Sequence, residues 1–303
     1  MKNLSMRQLR YFDALARHGH FGRAAEDCAV SQPALSMQIR DLEDMLGAPL
    51  VERGARQVRL TDLGEEFAPR VRDILLAVNE LDDLVRARTG PLFGRLRIGV
   101  IPTVAPYFLP EVITALQARY PGLDLRPREA VTQKLLDDLS EARLDAAIVA
   151  LPIAVPGIAE MPLFEEEFVL VRPPDEAGHP VPSADGLRAM RLLLLEEGHC
   201  FRDQALAFCA PSQAAPRDMM EGSSLSTLVQ MVSAGIGVTL VPEMAVPVET
   251  RSARVALQRL ARPRPSRQIG MIWRRANPLG DQLRTLGELV RDVAHQKSAS
   301  HDA

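Results

Sequence analysis

The amino-acid sequence predicts an α/β protein with an N-terminal winged helix–turn–helix, a linker helix and a C-terminal domain of two α/β lobes. Three observations predict this fold. Short helical patterns fill residues 1–61, one helical pattern with a heptad repeat fills residues 62–90, and strands alternate with helices over residues 91–303. A chain of 303 residues is long for one domain and suits two.

The first 61 residues contain three short amphipathic helical patterns. The third begins at Ser31, a favourable helix N-cap, and has Pro33 in its first turn, where a missing backbone N–H costs little. It ends at Gly47, and the whole pattern is typical of a helix–turn–helix. Residues 50–61 then predict a small hairpin, or wing, with three cationic side chains: Arg53, Arg56 and Arg59.

Residues 62–90 carry apolar side chains spaced alternately four and three residues apart. The series consists of Phe67, Val71, Ile74, Val78, Leu81 and Val85. This heptad seam predicts a linker helix that pairs with a second copy of itself, and the alternative is an amphipathic helix packed on its own domain. Gly90 and Pro91 stop the helix and mark a domain boundary.

Residues 91–303 alternate apolar, β-branched segments with helical patterns. Such alternation predicts a largely parallel sheet covered by helices. The last strand, Ile269–Trp273, and the closing helix, Pro278–His295, are expected to pack back on the first half of the domain. That return of the chain predicts two lobes with a cleft between them.

Composition excludes several classes of protein. The net charge of −3 argues against a wholly basic surface, and no run of 18 apolar residues suggests a membrane span. The first residues lack the apolar stretch of a signal peptide, so we expect a cytoplasmic location. His18 and His20 have no neighbours at metal-ligand spacing, and we expect neither a metal nor a cofactor.

The third helical pattern has the features of a DNA-recognition helix. Ser31, Gln32 and Ser36 are short polar side chains near its start, suited to base edges in a major groove, and Arg40 one turn later can reach a phosphate. The charge excess is weak, with nine Lys/Arg against seven Asp/Glu in residues 1–61. The residues alone leave open that Ser31 and Gln32 only cap the helix and that the domain binds a protein.

Two of the three cysteines lie at the ends of one short helical pattern. Cys200 is near its start, where the helix dipole favours a thiolate, and His199 and Arg202 can add a donor or a positive charge. Cys209 lies nine residues later, so an intact helix would separate the two α-carbons by about 13 Å, whereas a disulfide tolerates roughly 4.4–6.8 Å. The helix must therefore break before the two cysteines can bond.

The residue types do not by themselves decide between a redox switch and two buried structural thiols. The stretch between Cys200 and Cys209 is partly apolar, which suits a core. Cys28 lies on the apolar face of the second helical pattern and is expected to be a buried core residue.

An ordered set of positions in the first 64 residues resembles the N-terminal signature of LysR-type transcriptional regulators. The matching positions are Phe21, Ala24, Ala25, the run Val30 to Ser36, Ile39, Leu42, Glu43, Leu46, Gly47, the run Leu50 to Arg53, Leu60, Thr61 and Gly64. The resemblance implies contacts of the recognition helix and wing with promoter DNA. It also implies a linker-helix homodimer, commonly a homotetramer, work with RNA polymerase and a C-terminal domain similar to periplasmic binding proteins.

The segment around Cys200 resembles the sensing segment of the hydrogen-peroxide sensors within that family. The run is Gly198-His199-Cys200-x-Arg202-Asp203-Gln204-Ala205 followed by Phe208-Cys209, and residues 98–107, 129–136 and 265–270 are similar too. Residues 210–216 do not match the family pattern closely.

The resemblance implies a role for each matching position in the sensing of peroxide. Cys200 would be the peroxidatic cysteine and Cys209 the resolving one. Thr103 and Thr132 would help to bind peroxide or its water, or would be ordinary helix caps. His199 would lie beside the thiolate, and Arg267 would favour it.

The favoured interpretation is therefore a peroxide-switched regulator of oxidative-stress genes, an activator whose action as a repressor as well is left open. One alternative is a LysR-type regulator that binds a small organic effector in its cleft. A thiol peroxidase is a second alternative, in which the N-terminal domain would have no task.

Overall fold

The computed structural model describes residues 4–52, 58–88, 94–209 and 219–301. The chain divides into two compact units, Met1–Val85 and Arg86–Ala303. Within the described residues, no helix is long and apolar enough to span a bilayer.

The first unit is a bundle of short helices followed by a longer one. The helices are α1 (Met6–His18), α2 (Phe21–Asp27), α3 (Gln32–Leu46) and α4 (Asp62–Arg88). Ser5 and Gln8 form a capping box at the start of α1, and Gly19 ends it in the left-handed conformation that glycine adopts without strain. Phe12, Leu35 and neighbouring apolar side chains are fully buried between the helices.

The wing begins as an antiparallel bridge between Val51 and Leu60. Glu43, at the end of α3, holds its base, because its buried carboxylate accepts hydrogen bonds from the backbone N–H groups of Leu50 and Val51 at 2.8 and 3.1 Å. Gly64 of α4 packs so closely that a Cβ there would lie 2.1 Å from the carbonyl oxygen of Leu50. Helix α3, the bridge between Val51 and Leu60, and the start of α4 are thereby fixed to one another.

The apolar seam of α4 changes its surroundings along the helix. Phe67 and Val71 pack against the core of the first unit, as the alternative to self-pairing requires. Further along, Ile74, Leu81 and Val85 are 43%, 62% and 64% exposed. The second half of the seam is therefore available to a partner.

In the part of the chain that the structure describes, the second unit is built on nine strands. They are β1 (Gly94–Val100), β2 (Leu123–Glu129), β3 (Ala146–Leu151), β4 (Ile158–Arg172), β5 (Leu192–Leu195), β6 (Met219–Gly222), β7 (Val238–Pro242), β8 (Ala256–Arg259) and β9 (Ser266–Arg274). The strand order is β2-β1-β3-β9-β4-β7-β5-β6, with β8 paired to β4.

Over the same described ranges, seven helices accompany these strands. They are α5 (Ala105–Arg119), α6 (Thr132–Ser140), α7 (Ala184–Ala189), α8 (Cys200–Cys209), α9 (Leu225–Ser233), α10 (Val246–Glu249) and α11 (Gly280–His301), with short 3₁₀ turns at Pro174–Glu176 and Glu243–Ala245.

The strands form two lobes, each with its own apolar core. The first lobe contains β1, β2, β3, β9 and the first part of β4, and the second contains β5 to β8 and the last part of β4. The chain crosses at β4 and returns through β9, which pairs with β3 and β4, and α11 packs on α5. The predicted two-lobed α/β architecture is confirmed.

The prediction of a largely parallel sheet was wrong in one respect, since β4 and β9 run antiparallel to their neighbours. The chain passes from the first lobe to the second along β4 and returns along β9, so these two paired strands run in opposite directions. The strands β6 and β8 were not predicted, since neither has the continuous apolar run that marks β5, a strand of the same length.

Replacement of Glu43 by alanine should loosen the base of the wing. The backbone N–H groups of Leu50 and Val51 would lose their buried acceptor, which costs about 1–3 kcal/mol of unfolding free energy. Glu43→Gln keeps a side-chain carbonyl oxygen as acceptor and should retain most of that unfolding free energy. Asp44→Ala, at the exposed next position, should have little effect on stability. Amide hydrogen exchange at Leu50 and Val51 in the full chain measures this. Unchanged exchange in Glu43→Ala would contradict it.

Candidate functional site

The predicted redox residues follow the carboxyl ends of parallel strands in both lobes. Thr103 lies three residues after β1, Thr132 three residues after β2, and Cys200 five residues after β5. β1 and β2 are parallel neighbours in the first lobe, and β5 is parallel to both of its neighbours in the second. Crevices at such strand ends are where α/β folds bind ligands.

A buried charged network holds Thr103. Arg267 of β9 donates to the Thr103 hydroxyl at 2.7 Å and to the Thr103 carbonyl oxygen at 3.0 Å. The same guanidinium pairs with Glu166 at 2.8 Å, directly across the sheet, where β4 and β9 run side by side. All three side chains are buried, so the ion pair offsets the desolvation of both charges. The Thr103 oxygen accepts from Arg267, which leaves its own proton available to a ligand.

Glu166 is the residue that the sequence analysis missed. It is the middle of three consecutive glutamates, and nothing in the sequence separates it from Glu165 and Glu167. Its other oxygen accepts from the backbone N–H of Met244, in the second lobe, at 2.9 Å. Glu166 thus links Arg267 of the first lobe to Met244 of the second, at the place where β4 passes between the lobes.

The hydroxyl of Thr132 makes no hydrogen bond within the described residues. Thr132 is the first residue of α6, whose N-cap is Val131, and no side chain caps that helix. The Thr132 oxygen is buried and has no hydrogen-bond partner within the described part of the chain. Thr103 does not cap α5 either, since its N-cap is Val104 without a side-chain bond. The helix-cap alternative therefore fails for both threonines.

Cys200 is a free thiol at the first position of α8. It is partly buried and packs against the apolar core of the first lobe, although α8 itself belongs to the second. The next residue, Phe201, stacks edge-on against Phe168 at 4.9 Å and lies 5.3 Å beneath the Arg267 guanidinium. The start of α8 is therefore tied to the network that holds Thr103.

The two polar neighbours of Cys200, His199 and Arg202, have different surroundings. Burial lowers the pKa of His199, against the opposing effect of Glu196 and Glu129, so the imidazole is neutral at pH 7. Arg202 donates to the carbonyl oxygen of Leu195 at 3.0 Å and pairs with Glu221 at 2.6 Å. His199 thus supplies a neutral donor or acceptor, and Arg202 fastens α8 to β5 and β6.

Cys209 is the last residue of the same helix. An unbroken helix of this length separates the two cysteine α-carbons by about 13 Å, well beyond the range of a disulfide. Residues 210–218, which include the stretch that departs from the family pattern, lie outside the described residues.

Cys28 ends α2 and packs against the core of the first unit while remaining partly exposed. Burial raises the pKa of its thiol, and the carboxylate of Asp27 adds to that effect. The group therefore stays protonated at neutral pH. The described residues also contain no cluster of three side chains able to hold a metal ion.

The start of α3 presents a polar face to solvent. Ser31, Gln32, Pro33 and Arg40 are exposed, and Ser36 is half-buried. Ser31 does cap the helix, with its oxygen accepting from the N–H of Ala34 at 3.4 Å, whereas the Gln32 side chain makes no hydrogen bond within the described residues. Arg53 and Arg56, predicted for the wing, lie outside the described residues.

Two family models together match most of the chain. The family described as "Bacterial regulatory helix-turn-helix protein, lysR family" matches residues 6–65, and "LysR substrate binding domain" matches residues 89–295. The chain belongs to the LysR family of bacterial regulators. The expectation of a helix–turn–helix transcription regulator is confirmed, and the family is one of DNA-binding regulators, not of enzymes.

Curated relatives are similar over almost their whole length. A protein of Streptomyces viridosporus named "Probable hydrogen peroxide-inducible genes activator" is 45% identical, with 95% of each chain covered. The "DNA-binding transcriptional dual regulator OxyR" of Escherichia coli (strain K12) is 41% identical, again with 95% of each chain covered. The resemblance to the peroxide-sensing group of the family is confirmed.

Solved structures of the same group share the fold. A full-length cysteine-to-aspartate variant of OxyR from Pseudomonas aeruginosa superposes with a TM-score of 0.72 and is 35% identical, with 96% of each chain covered. A cysteine-to-serine variant of OxyR from Corynebacterium glutamicum with hydrogen peroxide bound gives a TM-score of 0.67 at 33% identity, covering 99% of this chain and 95% of that one.

Valine substitutions at the two threonines should have different effects on stability. Thr103→Val leaves an Arg267 N–H without its buried acceptor and should lower the unfolding free energy by about 1–3 kcal/mol. Thr132→Val removes a hydroxyl that has no partner within the described residues, and we expect no loss of stability. Urea unfolding of the reduced full-length protein measures both. Equal losses would show that the Thr132 hydroxyl has a structural partner.

Proposed function

We propose that this LysR-family protein is a transcription regulator of oxidative-stress genes that senses hydrogen peroxide through Cys200. The observation that carries the proposal is the combination of a free Cys200 thiol at the start of α8 with an unpartnered, buried Thr132 hydroxyl and a Thr103 hydroxyl whose proton is free. Hydrogen peroxide is small, uncharged and both a donor and an acceptor of hydrogen bonds. The names of the relatives support the same ligand.

The chemistry would proceed in two steps. The Cys200 thiolate attacks one peroxide oxygen, so that an S–O bond forms, the O–O bond breaks and the second oxygen leaves as hydroxide, which takes up a proton. Sulfur is oxidised by two electrons and peroxide is reduced. The Cys209 thiolate then attacks the sulfenic sulfur, an S–S bond forms, and the departing hydroxide is protonated to water.

The second step would convert this bond chemistry into a conformational change. Cys200 and Cys209 lie at opposite ends of α8, so at least part of the helix must unfold before the sulfurs meet. Phe201 packs on Phe168 and Arg267, and Arg202 pairs with Glu221. Rearrangement of α8 would disturb these contacts with both the inter-lobe network and β6, which makes α8 the bistable element of the switch.

At the other end of the chain, α3 would enter the major groove. Ser31, Gln32, Pro33 and Ser36 would approach the base edges, and Arg40 together with Arg53 and Arg56 of the wing would contact the phosphates. The exposed half of the α4 seam would pair two copies as a homodimer, and two dimers would form a homotetramer on double-stranded promoter DNA. The regulator would act there together with RNA polymerase. Its location would be the cytoplasm.

Cys200→Ser should abolish the peroxide response and leave DNA binding intact. Cys28→Ser is the matched control and should respond as the wild type does, because the Cys28 thiol stays protonated. The measurement is a footprint of reduced and peroxide-treated protein on its promoter, together with mass spectrometry of the disulfide. If peroxide-treated wild type contains no Cys200–Cys209 linkage, the mechanism is wrong. Calorimetric titration with metabolites would then test a small organic effector.

Gln32→Ala and Arg40→Ala should weaken DNA binding in different ways. Loss of a base contact by Gln32 should cost about 1–3 kcal/mol on the cognate site only, whereas loss of a phosphate contact by Arg40 should weaken binding to all sequences and reduce the salt dependence by about one unit of slope. Arg17→Ala is the control, since Arg17 pairs with Asp13 and Asp27. Equal losses on cognate and random DNA for both variants would contradict the assignment of Gln32.

A further inference from the structure

A second hydrogen-bonded link joins the two lobes, outside the Arg267 network. Tyr107, in the first turn of α5, is only 5% exposed and packs among the apolar side chains of the second lobe. Its hydroxyl donates to Glu249, the last residue of α10, at 2.5 Å. The other oxygen of Glu249 accepts from the hydroxyl of Ser226, also at 2.5 Å. The Glu249 carboxylate is therefore held by one hydroxyl from a first-lobe helix and one from a second-lobe helix.

The surroundings keep Tyr107 a hydrogen-bond donor. Its pKa is raised far above the usual range of a phenol, first by burial and then by the hydrogen bond to Glu249 and the charge of that carboxylate. Arg267 acts on the same pKa in the opposite direction. Tyr107 thus lies within electrostatic reach of the guanidinium that holds Thr103.

The two inter-lobe links form a closed ring. Met244 and Glu249 belong to one short segment of the second lobe, which binds the first-lobe side at both of its ends. Tyr107 lies one helical turn after the threonine that Arg267 holds. The members of the ring are, in order, Thr103, Arg267, Glu166, Met244, Glu249 and Tyr107.

The first turn of α5 is also held from its other side. Lys297 of α11 donates to the backbone carbonyl oxygen of Tyr107 and pairs with Glu111 at 2.6 Å. Because this turn begins directly after Thr103 and Val104, a shift of Tyr107 would be transmitted to Thr103. The hydroxyl of Tyr107 is the contact by which the turn is fixed to the second lobe.

We propose that Tyr107 and Glu249 are positioning residues for the reaction at Cys200. Their hydrogen bond holds the Thr103 turn of the first lobe at a fixed place relative to α8 of the second, and so sets the rate at which peroxide reacts. The inference rests on the proposed function, because it assumes that peroxide is the ligand. A displacement of a binding group by about 1 Å can cost an enzyme up to about 100-fold in rate.

Tyr107→Phe in the reduced full-length protein tests this directly. Phenylalanine keeps the buried ring and removes only the hydroxyl. We expect the second-order rate constant for oxidation of Cys200 by hydrogen peroxide to fall on the order of tenfold. The rate of alkylation of Cys200 by iodoacetamide should stay unchanged, because that reagent does not need the Thr103 hydroxyl. Both rates are measured by timed quenching and mass spectrometry of the Cys200 peptide.

Four further variants separate positioning from a general loss of structure. Glu249→Ala should reproduce the loss, and Tyr107→Phe combined with it should add nothing. Glu249→Gln retains an oxygen that accepts from Tyr107 and should keep most of the rate. Tyr120→Phe is the matched control at the other end of α5, since the Tyr120 hydroxyl makes no hydrogen bond within the described residues.

The outcomes distinguish this inference from the proposed function. An unchanged peroxide rate in Tyr107→Phe, or an equal change in the rates of both reagents, would overturn the positioning role alone. Additive losses in the double variant would overturn it as well. Failure of wild-type Cys200 to react with peroxide would overturn the proposed function, and the inference with it.

Discussion

The buried ion pair between Glu166 and Arg267 is the interaction on which the geometry of the second unit depends. Two charges removed from water are tolerated only when each is paired and hydrogen-bonded, and removal of one partner from such a pair commonly costs about 3–5 kcal/mol. Here Glu166 also binds the Met244 backbone and Arg267 also binds Thr103. The pair sits where β4 and β9 cross between the lobes, so satisfying its hydrogen bonds fixes one relative position of those lobes.

A second constraint comes from the length of α8. A helix of ten residues keeps its two ends apart, whereas a disulfide needs them close. The intact helix and a bond between Cys200 and Cys209 are therefore mutually exclusive. The first turn of α8 rests on Arg267 through Phe201, so the state of the helix and the state of the ion-pair network are physically coupled. Under the proposed function, that coupling would make α8 a two-state element whose balance a single covalent bond can change.

Local features of the site could be predicted from the sequence, and long-range ones could not. Strands with clear apolar runs precede Cys200, Thr103 and Thr132, so the position of these residues after strand ends could be predicted from the sequence. Glu166 meets Arg267 across 101 residues, and Tyr107 meets Glu249 across 142. Such contacts depend on strand register and on which lobe a helix faces, and neither leaves a signal in periodicity. The role expected for Arg267 came from the family resemblance, and its partner Glu166 came only from the structure.

The charge balance of the site bears on the two candidate ligands. The charge of Arg267 is compensated by Glu166, and the pKa of His199 is lowered so that its imidazole is neutral at pH 7. Thr103 and Thr132 then offer hydroxyls and His199 a neutral ring, groups that form hydrogen bonds without net charge. An organic acid would have to give up its hydration without gaining an unpaired cation in return, whereas hydrogen peroxide carries no charge to desolvate. Under the proposed function, this charge balance suits a small neutral ligand better than an anionic effector, for a reason independent of the cysteines.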